Sequence, residues 1–530
     1  MASTEPMKVV KETKLYSEAV TLTGYGKYNL FVILATGGCL MCVIVESMNM
    51  SFIIPAAQCD LNLSLSSKGL LVSITFLGII TTSYFWGFMA DAHGRKNILV
   101  FCLITSSLIT LGCSIVSATW LLILLRYMNG ALIGGASSII YPFAGEFHDN
   151  RYRPKVITWV SSFVAVGQMY IPGMAWAILP HQWSYHVEGL GIDFRPWRLL
   201  LIAYAIPSLI VAALLSLLPE SPKFLLSRGK HDHTLKILTK MFVYNTGKKS
   251  HEYPVSTIIM DEIVIEKMEK NGNFFQMMWA QTTTLFGRGY IIKTVLICYL
   301  QFGVFLSASA LSLWFPQILN TLSKQVESLT KAGVTLCGSE STENNLRLQK
   351  SYFLPYKPLF WRSDNNVTLI EDFCDDFVDT HVFLVVLLIA CGIGIAYILI
   401  GSFINKIGKK TILIGSTVVT ACCGLVAQYV SGYETILTLC GVYLLISSMI
   451  GVVNAFAVDL YPTSIRAMAL AVSLMFGRMG AMIGSNLVGI VYYNYCDYIF
   501  IFFAINHLVL VVAAILLPTR KVQDLGPITS

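Results

Sequence analysis

The stretch GFMADAHGRK at positions 87–96 stands between two long apolar segments, and a related stretch, GSFINKIGKK, occupies positions 401–410. The two copies begin 314 residues apart and share a glycine at the eighth position, Gly94 and Gly408. A loop repeated in this way indicates a chain built from two duplicated halves, which is typical of secondary transporters.

A second landmark keeps almost the same step along the chain. Glu146 is followed seven residues later by Arg153, and Asp459 is followed in the same way by Arg466. These pairs lie 313 residues apart, so two independent features share one period with a slip of one residue. The duplication therefore extends well beyond the repeated loop.

The composition places the chain among membrane proteins. Of its 530 residues, 55% are hydrophobic and 13% are charged, and the mean hydropathy is +0.66. Soluble domains carry about 25% charged residues. The net charge of +7 comes from basic residues clustered in a few loops, as membrane orientation requires, so no nucleic-acid partner is expected.

Twelve apolar stretches are long enough to cross a bilayer, since a spanning helix needs about 20 residues. We number them spans 1 to 12, near 29–55, 69–90, 98–116, 121–144, 156–179, 197–218, 291–319, 381–404, 411–430, 436–458, 467–492 and 497–517. The expected fold is all-α and integral to the membrane, with two pseudo-symmetric bundles of six transmembrane helices each.

The basic residues fall mostly in the loops that join even-numbered spans to the next odd-numbered span. Those loops and both chain ends are therefore expected on the cytoplasmic side, and span 1 is expected to act as an uncleaved anchor. The expected units are a cytoplasmic segment at 1–28, bundles at 29–218 and 291–517, a linker at 219–290, an extracytoplasmic loop at 320–380 and a tail at 518–530.

Two long loops carry further signals. The linker at 219–290 has mixed charged and apolar sequence, which predicts short amphipathic helices on the cytoplasmic face. The 320–380 loop contains the sequon that begins at Asn366, a candidate glycosylation site on the extracytoplasmic side. It also contains two cysteines, Cys337 and Cys374, which are candidates for a disulfide in an oxidising compartment.

The repeated loop is interpreted as part of a gate. Gly94 and Gly408 allow a sharp turn between spans. Asp91 can accept hydrogen bonds, and Arg95 can reach an acidic helix end. Such contacts would close the cytoplasmic side in one state and break in the other. The second copy has Asn405 in place of Asp91, and simple anchoring by positive charge is the alternative.

The acidic residues and arginines of the second landmark are interpreted as partners of the loop charges, with ordinary interfacial charge as the alternative. Pro154 and Pro462 interrupt a simple helical face between each acid and its arginine. The candidate gating positions are Asp91, Gly94, Arg95, Glu146, Arg153, Asn405, Gly408, Lys409, Asp459 and Arg466.

Charges inside apolar spans are candidate functional groups, because an uncompensated charge there costs at least about 2.5 kcal/mol. Glu46 lies in span 1 and Arg478 midway along span 11. Both are predicted to face a central cavity as substrate or proton sites, or to form a salt bridge between the halves. Arg126, at the start of span 4, is interpreted as a packing residue.

Polar and aromatic side chains within the spans complete the predicted pocket. Each of them, taken alone, is as readily explained by a contact between helices. The candidates are Tyr141, Gln168, Tyr170, Trp176, Tyr299, Gln301 and Asn454.

Several function classes find no motif. The sequence contains no Walker loop, no H-E-x-x-H or G-x-S-x-G motif and no T-V-G-Y-G filter, so ATP-driven pumping, hydrolysis and ion-channel function are not expected. No enzymatic activity, cofactor or metal is expected.

Several strings carry a family resemblance. The repeated loop resembles the signature of the major facilitator superfamily. Within that superfamily, the chain is similar to the synaptic vesicle glycoprotein 2 family and its relatives. The strings are YGKY at 25–28, MAWAILP at 174–180, WR at 197–198, PESPKF at 219–224, LWFP at 313–316, and LYPT at 460–463 with Arg466 three residues on.

The resemblance implies a twelve-helix fold that works by alternating access on organic ions or sugars. It also implies an acidic residue in span 1 and a cationic one in span 11, matched here by Glu46 and Arg478. The expected protein is a monomeric secondary transporter of small organic solutes in the plasma membrane or a vesicle membrane, with protons as the candidate coupling ion. The competing interpretation is a non-transporting vesicle or sensory protein that uses the fold as a binding scaffold.

Overall fold

The computed structural model describes residues 12–149, 151–181, 183–189, 191–259, 283–287, 289–328, 335–337, 378–461, 463–494 and 496–518. It contains twelve helices long and apolar enough to cross a membrane, each overlapping one of the twelve predicted stretches. The predicted fold class is therefore confirmed.

Each half of the chain contributes six spans. Spans 1 to 6 are Lys27–Met48 continued by Met50–Ala57, Leu65–His93, Arg95–Cys113, Thr119–Glu146, Arg153–Ile178 and Pro196–Leu217. Spans 7 to 12 are Ile291–Ser328, Thr380–Ile407, Lys409–Tyr429, Tyr433–Leu444 continued through Leu445–Ser448 to Met449–Leu460, Thr463–Asn494 and Ile499–Leu516.

The repeated loop has nearly the same conformation in both halves. Gly94 has φ 102° and ψ 142°, and Gly408 has φ 93° and ψ 137°. A positive φ of this size is strained for any residue with a Cβ atom, so the turn requires glycine. We call the end of the molecule that carries this turn the loop face, and the other end the opposite face.

A lysine after each turn also repeats. Lys96 Nζ donates to the carbonyl of Ser216 at 2.9 Å, near the end of span 6. Lys410 Nζ donates to the carbonyl of Ile515 at 2.6 Å, near the end of span 12. Lysines commonly satisfy the last carbonyls of a helix in this way. The duplication inferred from sequence spacing is thus visible in equivalent contacts.

The two halves share one core towards the opposite face. Span 7 packs there against Met50–Ala57, and the rings of Phe52 and Phe383 lie 5.6 Å apart across the halves. Towards the loop face, a separate cluster is formed by residues that all lie between Leu285 and Leu517, in the second half. Among the described residues, the halves are therefore joined at the opposite face and have separate cores at the loop face.

The loop face of the first half carries a small folded layer. It contains helix α1 (Tyr16–Leu22), α2 (Pro222–Ser227) and α3 (His231–Thr246), and a parallel sheet of β1 (Glu12–Leu15) with β4 (Val255–Ile259). The sequence predicted helices in the linker but no strand. A strand whose partner lies some 240 residues away gives only a weak local pattern. The predicted helical stretch at 260–270 lies outside the described residues.

The opposite face carries a hairpin of β2 (Tyr185–Val187) and β3 (Ile192–Phe194), and a disulfide that corrects a prediction. Cys337 is bonded to Cys496, before span 12, and not to Cys374. Thr335 pairs with Ser431, which holds this part of the loop against the second half. The sequence argument failed because it paired cysteines within one loop. Cys374 and the sequon at Asn366 lie outside the described residues.

Candidate functional site

Glu46 lies at the centre of a buried polar cluster in the first half. Its carboxylate Oε2 accepts hydrogen bonds from Thr110 Oγ1 at 2.7 Å, Asn129 Nδ2 at 3.2 Å and Asn49 Nδ2 at 3.4 Å. Asn49 lies where the two helices of span 1 meet, and the other partners come from spans 3 and 4. The side chain of Glu46 is 0% exposed, so it does not line an open cavity in this conformation.

Arg126 supplies the countercharge. Its Nη1 lies 3.7 Å from Glu46 Oε2, and its Nη2 donates to the backbone carbonyl of Glu46 and to Thr75 Oγ1, the latter at 3.2 Å. The prediction that Arg126 is only a packing residue is wrong. Its position three residues before Asn129 puts both side chains on one helix face, which is the sequence signal that could have identified it.

The cluster is incompletely satisfied. Glu46 Oε1, Asn49 Oδ1, Asn129 Oδ1 and Arg126 Nε are buried and make no hydrogen bond in the structure. Buried polar atoms normally have partners, and orphaned ones often mark redox or catalytic groups or unmodelled water. A carboxylate with one free oxygen can take up a proton and become a hydrogen-bond donor. The arrangement can therefore change charge without dismantling its helices.

Arg478 lies in a different environment from Glu46. Its Nη1 donates to Ser83 Oγ at 3.0 Å and its Nη2 donates to Ser137 Oγ at 2.7 Å. Ser83 belongs to span 2 and Ser137 to span 4, so this arginine of the second half binds two helices of the first. The predicted pairing of Arg478 with Glu46 is not made in this conformation.

No carboxylate lies within ion-pair distance of Arg478 in the part of the chain that the structure describes. Its two partners are neutral hydroxyl groups, which can also donate a hydrogen bond to an anion. A cation inside a membrane protein usually has a countercharge or marks an ion pathway. The site is therefore suited to an anionic group supplied by a ligand.

The repeated loop and the first acidic residue meet at the loop face. Arg95 forms an ion pair with Glu146 and lies 3.5 Å from Asp91, whose side chain is 54% exposed. Glu146 also accepts a hydrogen bond from the hydroxyl of Ser221. Arg153 does not bond to Glu146: its Nε donates to the carbonyl of Gly145 at 3.1 Å. We call Asp91, Arg95, Glu146 and Ser221 the loop-face cluster.

All members of the loop-face cluster belong to the first half or the linker, so their ion pairs do not bridge the two halves here. His148 is close by and bonds through Nδ1 to the carbonyl of Ala144 at 2.7 Å. Burial lowers the pKa of His148 to about 4. The imidazole is therefore neutral near pH 7 and leaves the charge of the cluster unchanged.

Glu220 completes this region and was not identified as a site residue from the sequence. Its Oε1 accepts from the backbone N–H groups of Arg95 at 2.9 Å and Lys96 at 3.0 Å, at the start of span 3. A carboxylate is favoured at a helix N-terminus, where backbone donors are free and the helix dipole is positive. Glu220 thus fixes the turn at Gly94 from the linker side.

The second-half copy of the cluster is only partly described. Lys409 Nζ donates to the carbonyl of Ala455 at 3.2 Å. The side chains of Asn405, Asp459 and Arg466 lie outside the described residues. The predicted charge latch of this half therefore stays a prediction.

The other predicted pocket residues make several different contacts. Tyr170 donates to the carbonyl of Ala203 at 2.8 Å and Tyr299 to Asn506 Oδ1 at 3.2 Å, so both hydroxyls join helices of one half. Gln301 Nε2 donates to Asn454 Oδ1 at 3.3 Å. These contacts match the helix-packing alternative.

Three more of these candidates remain. Tyr141 exchanges a hydrogen bond with Ser161 at 3.2 Å. Gln168 has a buried Oε1 that makes no hydrogen bond, which leaves it able to accept one from a ligand. Trp176 is 40% exposed. The structure therefore leaves Gln168 as a candidate ligand contact and ties Tyr141 to span 5.

The two halves differ where the Glu46 cluster lies. The 314-residue step takes Asn129 to Tyr443 and Thr110 to Gly424. A Cβ atom on Gly424 would lie 3.0 Å from the rings of Tyr443 and Phe500. Aromatic side chains thus fill the position that a charged network fills in the first half, and the duplicated halves have acquired different chemistry.

Comparisons with known proteins agree with this architecture. A family model described as the Major Facilitator Superfamily matches residues 36–338 and 348–529. Synaptic vesicle glycoprotein 2A of Homo sapiens is 29% identical over 325 residues, covering 58% of this chain and 44% of that protein. The chain thus spans less than half the length of the curated relatives it matches.

Two solved structures share the fold. The inward open conformation of the xylose transporter XylE from E. coli has a TM-score of 0.63 at 15% identity, covering 94% of this chain and 97% of that one. The nucleoside transporter NupG has a TM-score of 0.58 at 12% identity, covering 93% of this chain and 100% of that one. At such identities the likeness shows the fold alone.

Proposed function

Because the chain belongs to the Major Facilitator Superfamily, we propose that it is a secondary active transporter of small organic solutes and that organic anions are its preferred class. The observation that carries this proposal is Arg478. It lies midway along span 11, binds two hydroxyls of the other half and has no carboxylate partner among the described residues.

The transport cycle is proposed to be alternating access. The halves share a core at the opposite face and have separate cores at the loop face, as expected of a conformation open towards the loop face. The excess of basic residues there supports a cytoplasmic position for the loop face and both chain ends. The multi-pass protein is proposed to lie in a vesicle or plasma membrane, as a monomer.

The substrate anion would bind Arg478 between the halves. A carboxylate, sulfonate or phosphate can accept two parallel hydrogen bonds from a guanidinium, which is stronger and more directional than binding to a hydroxyl. Ser83 and Ser137 would then turn their hydroxyls to the same anion. Because these partners come from both halves, binding of the anion would be coupled to their relative position.

Protons are the proposed coupling ion, and Glu46 is their proposed carrier. Protonation of Glu46 would remove the countercharge of Arg126 and turn Oε1 or Oε2 into a donor towards the orphaned amide oxygens nearby. That change would loosen the link between spans 1 and 4, close to the helix break at Asn49. In this proposal Glu46 acts on the conformation and does not touch the substrate.

Uptake measurements test the proposal directly. The protein would be expressed at the cell surface and offered labelled benzenesulfonate, tetraethylammonium and D-xylose at two external pH values, with Glu46→Gln as a matched variant. Uptake of the anion that depends on pH in the wild type, and loses that dependence in Glu46→Gln, is expected. Uptake of the cation or the sugar alone would contradict the anion preference, and no uptake of any organic solute would favour the scaffold interpretation.

The loop-face cluster is proposed to stabilise the outward-facing state, by holding spans 2, 3 and 4 in the shape that the second half meets on closing. Replacing Glu146 by glutamine removes the ion pair with Arg95 but keeps an acceptor for Ser221. We expect initial uptake to fall about tenfold, the effect of roughly 1.4 kcal/mol on a conformational equilibrium. The variant should still reach the surface in normal amount.

Glu434→Gln is the control for that measurement, because this acid lies in the first turn of span 10 at the opposite face. Its uptake should match the wild type. Unchanged uptake per surface molecule in Glu146→Gln would contradict the gating role and leave anchoring as the explanation of the repeated loop.

A further inference from the structure

Lys68 is a buried cation that the proposed transport mechanism does not use. It is the fourth residue of span 2, at the opposite face, and is 3% exposed. Its Nζ donates to Gln58 Oε1 at 2.7 Å. In the part of the chain that the structure describes, no carboxylate lies within ion-pair distance of this ammonium group.

The position of Lys68 is electrostatically unfavourable in the closed arrangement. A helix N-terminus carries partial positive charge, so a lysine in its first turns is repelled by its own helix. Ser64 already caps this end of span 2, because its Oγ accepts from the N–H of Ser67 at 3.2 Å. An ammonium group has three donors, and one amide oxygen satisfies only one of them.

Lys68 also lies on a specific side of span 2. Fifteen residues separate it from Ser83, the partner of Arg478, which corresponds to about 22 Å along the helix and about 60° around it. The next residue, Gly69, packs against span 11: a Cβ atom there would lie 3.3 Å from Asn486 Oδ1. Lys68 and Ser83 therefore lie on neighbouring parts of the helix surface that runs beside the second half.

We propose that Lys68 is an outer anion-binding site, where an organic anion binds first before it moves inward to Arg478. The inference rests on the proposed transport function and on its orientation, which place the opposite face outside the cell. In the present conformation the outer ends of the two halves are packed together and Lys68 is buried. When they separate, Lys68 is exposed to the outer solution, with two free donors for an anionic group.

An early binding site gives a different kinetic signature from a central one. Loss of a charge that attracts the substrate should raise KM and leave kcat nearly unchanged, because the conformational steps are unaffected. We expect Lys68→Gln to raise the KM for benzenesulfonate about fivefold at low ionic strength, since exposed charges act over about 30 Å at 0.01 M salt. At 0.15 M salt the difference should shrink, and Lys68→Arg should behave like the wild type.

Arg195→Gln is the matched control. Arg195 is a cation on the same face, and its Nε lies 3.9 Å from Asp60 Oδ1. Its replacement should leave KM and the salt dependence unchanged. A Lys68→Gln protein with wild-type KM at both salt concentrations would overturn the proposal. A fall in kcat alone would overturn it as well, because it would assign Lys68 to the conformational change.

A second measurement does not depend on transport. A membrane-impermeant sulfonated acylating reagent is added to wild-type protein at the cell surface, and modification of Lys68 is read by mass spectrometry with and without benzenesulfonate. Modification from outside that benzenesulfonate suppresses is expected. Absence of modification, while lysines of the 320–380 loop react, would overturn the proposal, as would modification that benzenesulfonate leaves unchanged.

The two measurements separate the failures. If the wild type takes up no anion but Lys68 is modified and protected, the transport function fails while the outer anion site stands. If anion uptake depends on Arg478 and Lys68 fails both tests, the proposed function stands without this site. Should Lys68→Gln not reach the surface, the modification of the wild type alone decides.

Discussion

Replacing Arg478 by glutamine is expected to lower uptake of benzenesulfonate about 100-fold or more, because removal of one member of a buried, hydrogen-bonded charge pair costs about 2–5 kcal/mol. The wild-type guanidinium already bonds to Ser83 and Ser137 and has no carboxylate of its own among the described residues. The charge of the bound anion would therefore depend mainly on this arginine.

The double variant Ser83→Ala, Ser137→Ala is the matched comparison. It removes two neutral hydrogen bonds of about 1 kcal/mol each, so uptake should fall by about tenfold to thirtyfold and remain measurable. Arg478→Lys should lie between the two, because an ammonium group keeps the charge and loses the two-pronged geometry. Surface expression of each variant is measured in the same cells.

A different ranking would contradict the assignment of Arg478. If the serine double variant abolished uptake while Arg478→Gln kept most of it, the hydroxyls would be the binding groups and the arginine a link between halves. Uptake of tetraethylammonium gained by Arg478→Gln would still agree with a substrate site, since removal of the cation removes a repulsion.

The sequence predicted the parts of this molecule that depend on local pattern. Apolar runs gave the number of spans, and the repeat gave the two bundles. The sharp turns at Gly94 and Gly408 followed from the loop spacing, and both glycines have positive φ. Glu46 and Arg478 stood out because charges are rare in apolar spans, and this needed no knowledge of the neighbours.

The errors concern pairings between distant residues. Glu46 was expected near Arg478, but its ion-pair partner is Arg126, 80 residues along the chain. Cys337 was matched with the other cysteine of its loop, while its true partner lies 159 residues away. Such contacts depend on how helices pack against each other, which a single sequence does not specify. Hydroxyl partners such as Ser83 are harder still, because serine is common in membrane helices.

The contrast between the halves gives the charged cluster a meaning. A buried pair is expensive, and an apolar replacement of similar volume is often as stable. The second half fills the equivalent position with Tyr443 and Phe500, so this fold does not need charges there. The first half carries Glu46 and Arg126 at that position, which supports a role in coupling and argues against a purely structural salt bridge.

Stability measurements on Arg126 would test the same cluster without any transport assay. Replacing Arg126 by methionine leaves the carboxylate of Glu46 buried without a countercharge, and loss of one partner of a buried pair costs about 3–5 kcal/mol. We expect a large fall in the thermal unfolding temperature of the purified protein in detergent. Arg478→Met should cause a smaller fall, because it breaks hydrogen bonds only to hydroxyls.

The second change in the cycle should reverse much of this loss. In the double variant Arg126→Met, Glu46→Gln the buried charge is gone, and the neutral amide can still bond to Thr110 and Asn129. Its stability should therefore exceed that of Arg126→Met alone, which is a coupling energy measurable by a double-mutant cycle. Additive losses would contradict the ion pair. Recovery only at acidic pH in Arg126→Met would show that a proton on Glu46 replaces the missing arginine, which is the chemistry that proton coupling at this residue requires.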